Sequence, residues 1–334
     1  MKTYTSHFLY DSYIIAAQAL EPMNYYGRHG TPFIFIIDYM AQTPFICPIK
    51  NIPDSILFSF DGYSSTSQKK GKPDILHFEK FPVMFDEYLY SFNCVQQHLI
   101  EGNTYLVNLT FPTKIYTNLS LYEIFMYSNA PYKLFFNDAF VVFSPEAFIT
   151  ITQGNIYTFP MKGTIDAHIP DAENILYNDQ KEFAEHITVV DLLRNDLARV
   201  SYNVTVEKFR YPTKVRTHVK ELIQTSSIIK GTLYPDYLHN IGDIFAALLP
   251  AGSITGAPKK KTVEIIEEAE IYTRGYYTGV FGYCDGENVY SAVIIRFIEN
   301  NTSLTYKSGG GITVYSNPVQ EYNEMVEKVY VPIN

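Results

Sequence analysis

The sequence predicts an α+β fold with a largely antiparallel sheet, because strands joined by short turns stand apart from well-marked helices. The clearest hairpin signal is Asp285-Gly286, which lies between two apolar runs. The clearest helix signal is the periodic apolar series from Tyr88 to Leu99, followed by Gly102 as a natural stop. No repeat, long linker or low-complexity tract breaks the pattern, so we expect a single domain over residues 1–334.

Four helices have recognisable boundaries. The first is predicted over about 85–101 and the second over about 179–196. The third is signalled by Gly256-Ala257-Pro258, with Pro at the first helical position, and continues to about Glu270. Asn317-Pro318 caps and opens the last helix, which is expected to reach about residue 330.

Runs of β-branched and aromatic residues predict the strands. Residues 1–80 give few other signals, apart from a surface loop expected at 64–73, where Ser, Lys and Gly cluster. The predicted strands cover residues 33–37, 104–116, 132–143, 148–159, 277–284, 288–298 and 303–307.

Composition excludes several classes of protein. Hydrophobic residues make up 46% of the chain and charged residues 18%, which is typical of a globular protein. The net charge of −9 argues against generic nucleic-acid binding, which depends on neutralising phosphates. An anionic ligand would therefore need local cations or a bound metal. No apolar run approaches membrane-spanning length, so no membrane association is expected.

The three cysteines are widely separated and odd in number. This pattern fits neither a disulfide scaffold nor a zinc cluster, and it favours a reduced, cytoplasmic setting. His7, His77 and His98 have no chemically useful sequence neighbours, so no role is assigned to them.

Two pairs of glutamates are spaced for a shared helix face. Glu182 and Glu185 lie on the second predicted helix, and Glu321 and Glu324 lie on the last one. If the pairs faced each other, four carboxylates would form a site for a hard divalent cation such as Mg²⁺. Taken alone, such pairs are more often ordinary solvated helix charges.

Two backbone motifs could hold an anion. Ser308-Gly309-Gly310-Gly311 follows a predicted strand, and consecutive glycines allow close approach of backbone N–H groups, although a flexible turn is the commoner interpretation. The segment 252–259 enters a helix N-terminus, where an anion or simple Ser/Thr capping are both possible. The cluster at 191–196 is expected to be a structural polar network.

Two cationic residues need partners. Lys162 lies between Pro160-Met161 and Gly163-Thr164, and such a lysine is usually a surface residue. In a closed, desolvated pocket its pKa would fall and it could act as a nucleophile. Arg296 ends an apolar strand, where a carboxylate fork is the typical partner; a structural ion pair and a ligand carboxylate are equally open.

The order of these motifs resembles the catalytic components of aminodeoxychorismate and anthranilate synthases. They belong to the chorismate-utilising enzymes, with isochorismate and salicylate synthases, and the resemblance covers about residues 85–330. The series runs through Ser144-Pro145-Glu146, Pro160-Met161-Lys162-Gly163-Thr164, Glu182 to His186, Asp191 to Asp196, Gly252 to Lys259, Gly275 to Tyr283, Ile295-Arg296, Gly309 to Ile312 and Pro318 to Glu324.

The resemblance implies two packed, largely antiparallel sheets flanked by outer helices, with chorismate and Mg²⁺ in a cleft. It implies Glu185 and Glu324 as direct metal ligands, with Glu182 and Glu321 completing the site. It implies that Arg296 and the backbone of Gly310 and Gly311 hold the enolpyruvyl carboxylate. The other residues that it implies are Lys162, Glu146 and Thr255 for catalysis, and Thr164, Tyr277 and Gln224 around the substrate.

Two positions distinguish members of the family. Aminodeoxychorismate synthases resemble this chain in having a lysine at the position of Lys162, where anthranilate synthases carry alanine. Water-using members place a lysine where this chain has Leu106, which cannot deprotonate water. The resemblance therefore implies a transferase that aminates chorismate at C4, giving 4-amino-4-deoxychorismate for 4-aminobenzoate and folate synthesis. An anthranilate synthase component and an inactive chorismate-binding scaffold are the alternatives.

The chain also departs from the family pattern. Gln224 replaces a histidine thought to help the leaving group, and His218 is no obvious substitute. No residue is therefore assigned to protonate the leaving hydroxyl. The N-terminal portion, about 1–80, is reduced, and no tryptophan regulation is expected. Nothing in the sequence resembles a glutamine amidotransferase, so ammonia is expected from a separate glutamine amidotransferase subunit.

Overall fold

The computed structural model describes residues 7–60, 62–66, 76–216 and 221–333. Within them the chain forms two nine-stranded sheets, in which neighbouring strands pair in antiparallel fashion, together with eight α-helices. None of these helices is both long and apolar enough to cross a membrane. The helices are α1 (His7–Arg28), α2 (Phe85–Ile100), α3 (Leu121–Tyr127), α4 (Ala172–Asn178), α5 (Gln180–Ala198), α6 (Ile241–Leu248), α7 (Lys259–Ala269) and α8 (Pro318–Glu327).

The first sheet carries Lys162 on an edge strand. Its strands are β1 (Phe33–Ile37), β2 (Phe45–Pro48), β9 (Ala147–Thr152), β10 (Asn155–Thr158), β11 (Met161–Asp166), β12 (Tyr202–Arg216), β13 (Glu221–Thr232), β15 (Val280–Cys284) and β16 (Val289–Val293). Their order is β11-β13-β10-β9-β16-β15-β1-β2, and β12 also pairs with β13.

The second sheet carries the glycine run. Its strands are β3 (Ile56–Phe60), β4 (Tyr63–Ser64), β5 (Phe78–Phe81), β6 (Leu106–Thr117), β7 (Tyr132–Phe136), β8 (Phe140–Ser144), β14 (Gly256–Ala257), β17 (Phe297–Asn300) and β18 (Leu304–Ile312). Their order is β14-β6-β18-β17-β8-β7-β3-β4, and β5 also pairs with β6.

The two sheets pack face to face, with helices on the outside. Ile34 and Phe281 of the first sheet share one apolar cluster with Phe58 and Leu134 of the second. A second cluster joins the first sheet to α1, α5 and α6, and another joins β6 and β18 to α2, α7 and α8. The predicted architecture of two packed antiparallel sheets with outer helices is confirmed.

Most predicted helices are confirmed, with small shifts. Asp179 caps α5 by accepting a hydrogen bond from the backbone N–H of Glu182, and Asn317 caps α8 in the same way. Pro258 is the residue before α7 rather than its first residue, because Gly256 and Ala257 pair with β6 as a short strand. Helix α1 was missed: it has no acidic residue in its first turn and contains a proline.

Several predicted strands were wrong in extent. The runs 132–143 and 148–159 are hairpins, turning at Asn137-Asp138 and at Gln153-Gly154, all with positive φ. The run 288–298 divides in two, since the chain leaves the first sheet after β16 and enters the second at β17. The strand predicted at 303–307 continues as β18 through the glycine run. Of the loop predicted at 64–73, residues 67–73 lie outside the described part.

A buried ion pair joins the end of α7 to both sheets. The Arg274 guanidinium donates to the Glu270 carboxylate at 2.9 and 2.6 Å, and both side chains are 2% exposed. The same carboxylate accepts from the backbone and hydroxyl of Thr110 on β6. Arg274 also donates to the carbonyl oxygens of Ile254 and Asn108, and it stacks over the Tyr39 ring that follows β1.

Replacing Glu270 should be strongly destabilising, because Arg274 would be left as an uncompensated buried charge. We expect Glu270→Gln to lower the free energy of unfolding by about 3–5 kcal/mol in denaturant titrations. The matched control is Glu264→Gln, since Glu264 pairs with Lys261 on the surface of α7 and such pairs contribute about 0–1 kcal/mol. Equal losses in the two variants would contradict this account.

Candidate functional site

Lys162 lies on β11 beside a local irregularity in the sheet. The register between β11 and β13 shifts between Lys162 and Thr164, and Gly163 adopts a positive φ of 78°. A glycine is favoured there because the left-handed region is costly for other residues. The Lys162 side chain reaches Glu185 of α5, with 3.1 Å between Nζ and Oε2.

The four predicted metal carboxylates lie around this lysine. A Cβ atom placed on Gly163 would be 3.0 Å from Oε2 of Glu182. A Cβ atom on Gly310 would be 3.6 Å from Oε2 of Glu321 and 3.9 Å from Oε1 of Glu324. The two glycines thus leave the space that these carboxylates occupy, and α5 and α8 face each other across the site.

A second lysine, Lys328, completes the charge pattern. Its Nζ lies 2.6 Å from Oε1 of Glu324 and 2.9 Å from the carbonyl oxygen of Gly309. Sequence reasoning missed Lys328, although its spacing of four residues from Glu324 on a helix is the usual signal for an ion pair. Burial lowers the pKa of Lys328 despite the opposing effect of Glu324.

The donor set fits a hard divalent cation by its chemistry. Glutamate oxygens are the ligands that Mg²⁺ takes, usually with water. The four glutamates and the two lysines leave a net formal charge of −2, which a divalent cation would balance. Among the described residues no three of these carboxylates converge to within 4.8 Å of one another. A cation would therefore be held by few protein ligands.

The expected fall in the pKa of Lys162 is not what the structure gives. Burial disfavours the ammonium, but the charges of Glu185, Glu324 and Glu182 outweigh burial and raise the pKa of Lys162 above its ordinary value. The predicted fall in the pKa was wrong because it took account of the burial of Lys162 but not of the negative charges of the surrounding carboxylates.

Glu146 lies between the strands that lead into the site, after β8 and before β9. Burial raises its pKa, and this effect outweighs a hydrogen bond from Ser253 and the nearby charges of Arg296 and Lys162. Its backbone carbonyl accepts from Val293, the last residue of β16. This carboxyl group therefore lies among the cationic groups of the site with a pKa above its ordinary value.

Arg296 lies where the chain passes from the first sheet to the second. It adopts a positive φ of 54°, and its guanidinium stacks over the Tyr330 ring. Its Nε is buried without a hydrogen-bond partner. No ion pair to a carboxylate is found for it within the described residues, so of the two interpretations left open, the structural ion pair is not found there.

The remaining residues predicted to contact the substrate differ in their burial and in their hydrogen-bond partners. Thr255 and Tyr277 are buried, and the Thr255 hydroxyl has no hydrogen-bond partner. Gln224 pairs with Thr164 across β11 and β13, and its amide contacts the Met161 sulfur at 2.6 Å rather than Lys162. The Thr164 side chain and the whole of His218 lie outside the described part.

Leu106 lies beside the nucleophile candidate. A Cβ atom on Gly311 would be 3.0 Å from Cδ1 of Leu106 and 3.8 Å from Nζ of Lys162. The glycine run forms a strand, with Gly310 paired to Leu109 and Gly311 to Asn108. Next to Lys162, β18 therefore presents glycine backbone without side chains, and the neighbouring Leu106 side chain is apolar.

His186 follows Glu185 and ends the Glu182 to His186 motif, but the sequence predicted no role for it. Its Nε2 lies 2.7 Å from the Ser227 hydroxyl, which also accepts from the backbone of Arg210. Burial lowers the pKa of His186 to about 4, helped by Arg210 and Lys162. This neutral, fully buried histidine fixes α5 on β13 and so helps to direct Glu185 at Lys162. The 191–196 cluster is a structural network, in which Asp196 binds Lys259 at 2.8 Å.

Comparisons with known proteins agree with the fold. The family described as chorismate binding enzyme matches residues 51–334. An uncharacterized PabA-like protein of Haemophilus influenzae is 50% identical over 316 residues, covering 94% of this chain and 96% of that protein. Another such protein, of Pasteurella multocida, is 48% identical over 319 residues, covering 94% and 98%.

Among solved structures, the menaquinone-specific isochorismate synthase of Escherichia coli has the same fold. Its TM-score is 0.72 at 17% identity, and the match covers 93% of this chain and 80% of that one. The family match spans well over half of the residues. The chain therefore belongs to the family of chorismate-binding enzymes, and it is an enzyme that acts on chorismate.

Proposed function

We propose that the chain is the catalytic component of an aminodeoxychorismate synthase, which converts chorismate and ammonia to 4-amino-4-deoxychorismate and water. The observation that carries the proposal is the position of Lys162, whose Nζ lies 3.1 Å from Glu185 and beside the Gly311 strand. A lysine here can attack the ring carbon of a bound substrate. Leu106, its apolar neighbour, cannot activate water.

The site's cations suit a small dianion in an acidic chain. Arg296 has a buried Nε without a partner, which a substrate carboxylate would satisfy. Thr255 offers a buried hydroxyl that forms no hydrogen bond of ordinary geometry. In this proposal Arg296 and the Gly310/Gly311 backbone hold the enolpyruvyl carboxylate, and Thr255, Thr164, Tyr277 and Gln224 surround the ring.

Magnesium is part of the proposal. Glu185 and Glu324 would bind it directly, while Glu182 and Glu321 would complete the site through water. When bound, the cation would neutralise these carboxylates and polarise the ring carboxylate of the substrate.

The chemistry needs two displacements across the conjugated ring diene. Nζ of neutral Lys162 bonds to C2, both ring double bonds shift by one position, and the C4–O bond breaks as the hydroxyl takes a proton and leaves as water. Ammonia then bonds to C4, both double bonds shift back, and the C2–Nζ bond breaks, returning its electrons to Lys162. We assign the proton for the leaving hydroxyl to Glu146, because its buried carboxyl group lies between β8 and β9, close enough to Lys162 and Arg296 to feel their charges, and burial raises its pKa.

A glutamine amidotransferase subunit is proposed as the source of ammonia in the cell. The support for it is that Cys284, although flanked by Gly282 and Gly286, is fully buried at the end of β15 before a hairpin, and does not lie at the strand-to-helix turn that exposes a nucleophilic cysteine. The PabA-like naming of the two relatives also fits a protein of 4-aminobenzoate synthesis. Free ammonium at high pH replaces this partner in a test of the catalytic component.

The product of the reaction tests the proposal most directly. Incubation with chorismate, Mg²⁺ and ammonium at high pH should give 4-amino-4-deoxychorismate by mass spectrometry, and a chelator should stop its formation. Anthranilate or isochorismate as the main product would exclude the proposed reaction. Tight chorismate binding without turnover, even with glutaminase present, would identify an inactive scaffold.

The metal ligands are tested in the same assay by a matched pair on α8. Glu324→Gln should raise the Mg²⁺ concentration needed for half-maximal activity, because it removes a charged ligand. Glu327→Gln, on the exposed last turn of the helix, should leave that concentration unchanged. An unchanged Mg²⁺ requirement in Glu324→Gln would remove Glu324 from the metal site.

Lys162 should be essential as a nucleophile and not only as a charge. Lys162→Ala should abolish or greatly slow C4 amination while leaving Mg²⁺-dependent chorismate binding largely intact. Lys162→Arg keeps a cation for Glu185 but lacks an attacking amine, so it should be equally inactive. Without ammonia, the unmodified enzyme should gain the mass of chorismate less water, and neither variant should. Normal amination by either variant would refute the covalent role.

Glu146 should act as an acid. Glu146→Gln keeps the shape of the side chain but cannot give up a proton, so kcat should fall by roughly 10²–10⁴-fold with little change in chorismate affinity. Glu146→Asp restores an acidic group and should recover part of the activity. Wild-type turnover in Glu146→Gln would show that another group protonates the hydroxyl.

A further inference from the structure

A second cluster of metal-binding side chains lies outside the chorismate site, between α2 and α7. Cys94 and His98 are four residues apart on α2, so they share one face of the helix. Glu268 of α7 faces them. One ligand atom from each residue lies within 4.8 Å of the other two. The spacing of the cysteines predicted no zinc cluster, and the neighbours of His98 in sequence predicted no role for it, because these residues are brought together only by helix packing.

The distances resemble those between the ligands of a tetrahedral metal ion. Sγ of Cys94 lies 3.7 Å from Oε1 of Glu268, and Nε2 of His98 lies 3.1 Å from Oε2. Bond lengths of about 2.0–2.3 Å around a tetrahedral Zn²⁺ place ligand atoms about 3.3–3.8 Å apart. The three side chains therefore need little rearrangement to share one ion.

The surroundings hold the cluster in place while leaving it open to solvent. The two helices pack through Val95 and Ile265, and Ser91 donates to the carbonyl oxygen of Ala269 at 2.7 Å. Glu268 is 62% exposed, so an ion can enter from solution. A fourth position would remain for water.

The outer contacts of His98 also suit a metal ligand. Asn103 Nδ2 lies 3.0 Å from its Nδ1, and it also donates to Glu101 at 2.9 Å. A half-turn of the Asn103 amide would present its oxygen to the Nδ1–H of a metal-bound imidazole. Glu101 would then keep a hydrogen bond from Gln97.

We propose that Cys94, His98 and Glu268 form a binding site for a borderline transition metal of the zinc class, distinct from the Mg²⁺ site. Sulfur and imidazole ligands select Zn²⁺ or Co²⁺ over Mg²⁺, which takes oxygen. A bound ion would connect α2 to α7, the helix that follows Thr255. Burial raises the pKa of the Cys94 thiol, helped by Glu268, so metal binding at neutral pH would release its proton.

The test uses Co²⁺ as a spectroscopic probe on the reduced, metal-stripped full chain, in excess Mg²⁺. One equivalent should produce a thiolate-to-cobalt absorption band, and Zn²⁺ should displace it. Cys94→Ser should abolish the band, whereas Cys47→Ser, which changes a cysteine far away in β2, should retain it. No band in the unmodified chain, or a band that survives in Cys94→Ser, would overturn the site.

Two further variants keep the test decisive if Cys94→Ser folds poorly. His98→Ala should weaken Zn²⁺ binding by more than the ~10–100-fold typical of losing an outer partner of a ligand, while His77→Ala should not change it. Zn²⁺ should raise the thermal midpoint of the unmodified chain and not that of His98→Ala. Equal Zn²⁺ affinities in the two histidine variants would refute the proposal. These readouts need no chorismate, so they stand apart from the proposed reaction.

Discussion

The Glu270–Arg274 ion pair is the interaction on which the arrangement of the site depends most. Its hydrogen bonds reach Thr110 and Asn108 on β6 and the carbonyl of Ile254, and Arg274 also stacks on Tyr39. One buried pair therefore links both sheets to the segment that carries Thr255. Breaking a buried pair costs far more than breaking an exposed one, because the remaining charge has no water. This pair therefore adds to the apolar packing between the sheets by holding β6, the Ile254 segment and the loop after β1 together.

A second constraint is electrostatic and concerns the site itself. Carboxylates of α5 and α8 surround Lys162 and Lys328, so each cation is stabilised by the anions and each anion by the cations. Such a cluster keeps buried charges compensated in a chain of net charge −9. The same cluster raises the pKa of Lys162. An amine that must attack carbon therefore requires its carboxylate neighbours to be engaged elsewhere.

The sequence predicted the parts of the molecule that depend on local pattern. Helix caps at Asp179 and Asn317, the periodic face of α2 and the overall class all follow from nearest neighbours along the chain. Long-range effects were not predictable in this way. The passage between sheets before β17 and the meeting of Cys94, His98 and Glu268 depend on packing between distant segments. The roles of the site residues came from motif order, and they remain predictions.

The place of Lys162 on β11 has a consequence for how the enzyme can work. Within the described residues, β11 is the end strand of its sheet, pairs only with β13 and is irregular next to Gly163. An end strand can shift by a fraction of an ångström without disturbing the hydrogen bonds between interior strands. In the proposed reaction, such a shift would shorten the contact between Nζ of Lys162 and the substrate to a covalent distance. The interior strands would then hold the substrate in place while the end strand carries the reacting atom.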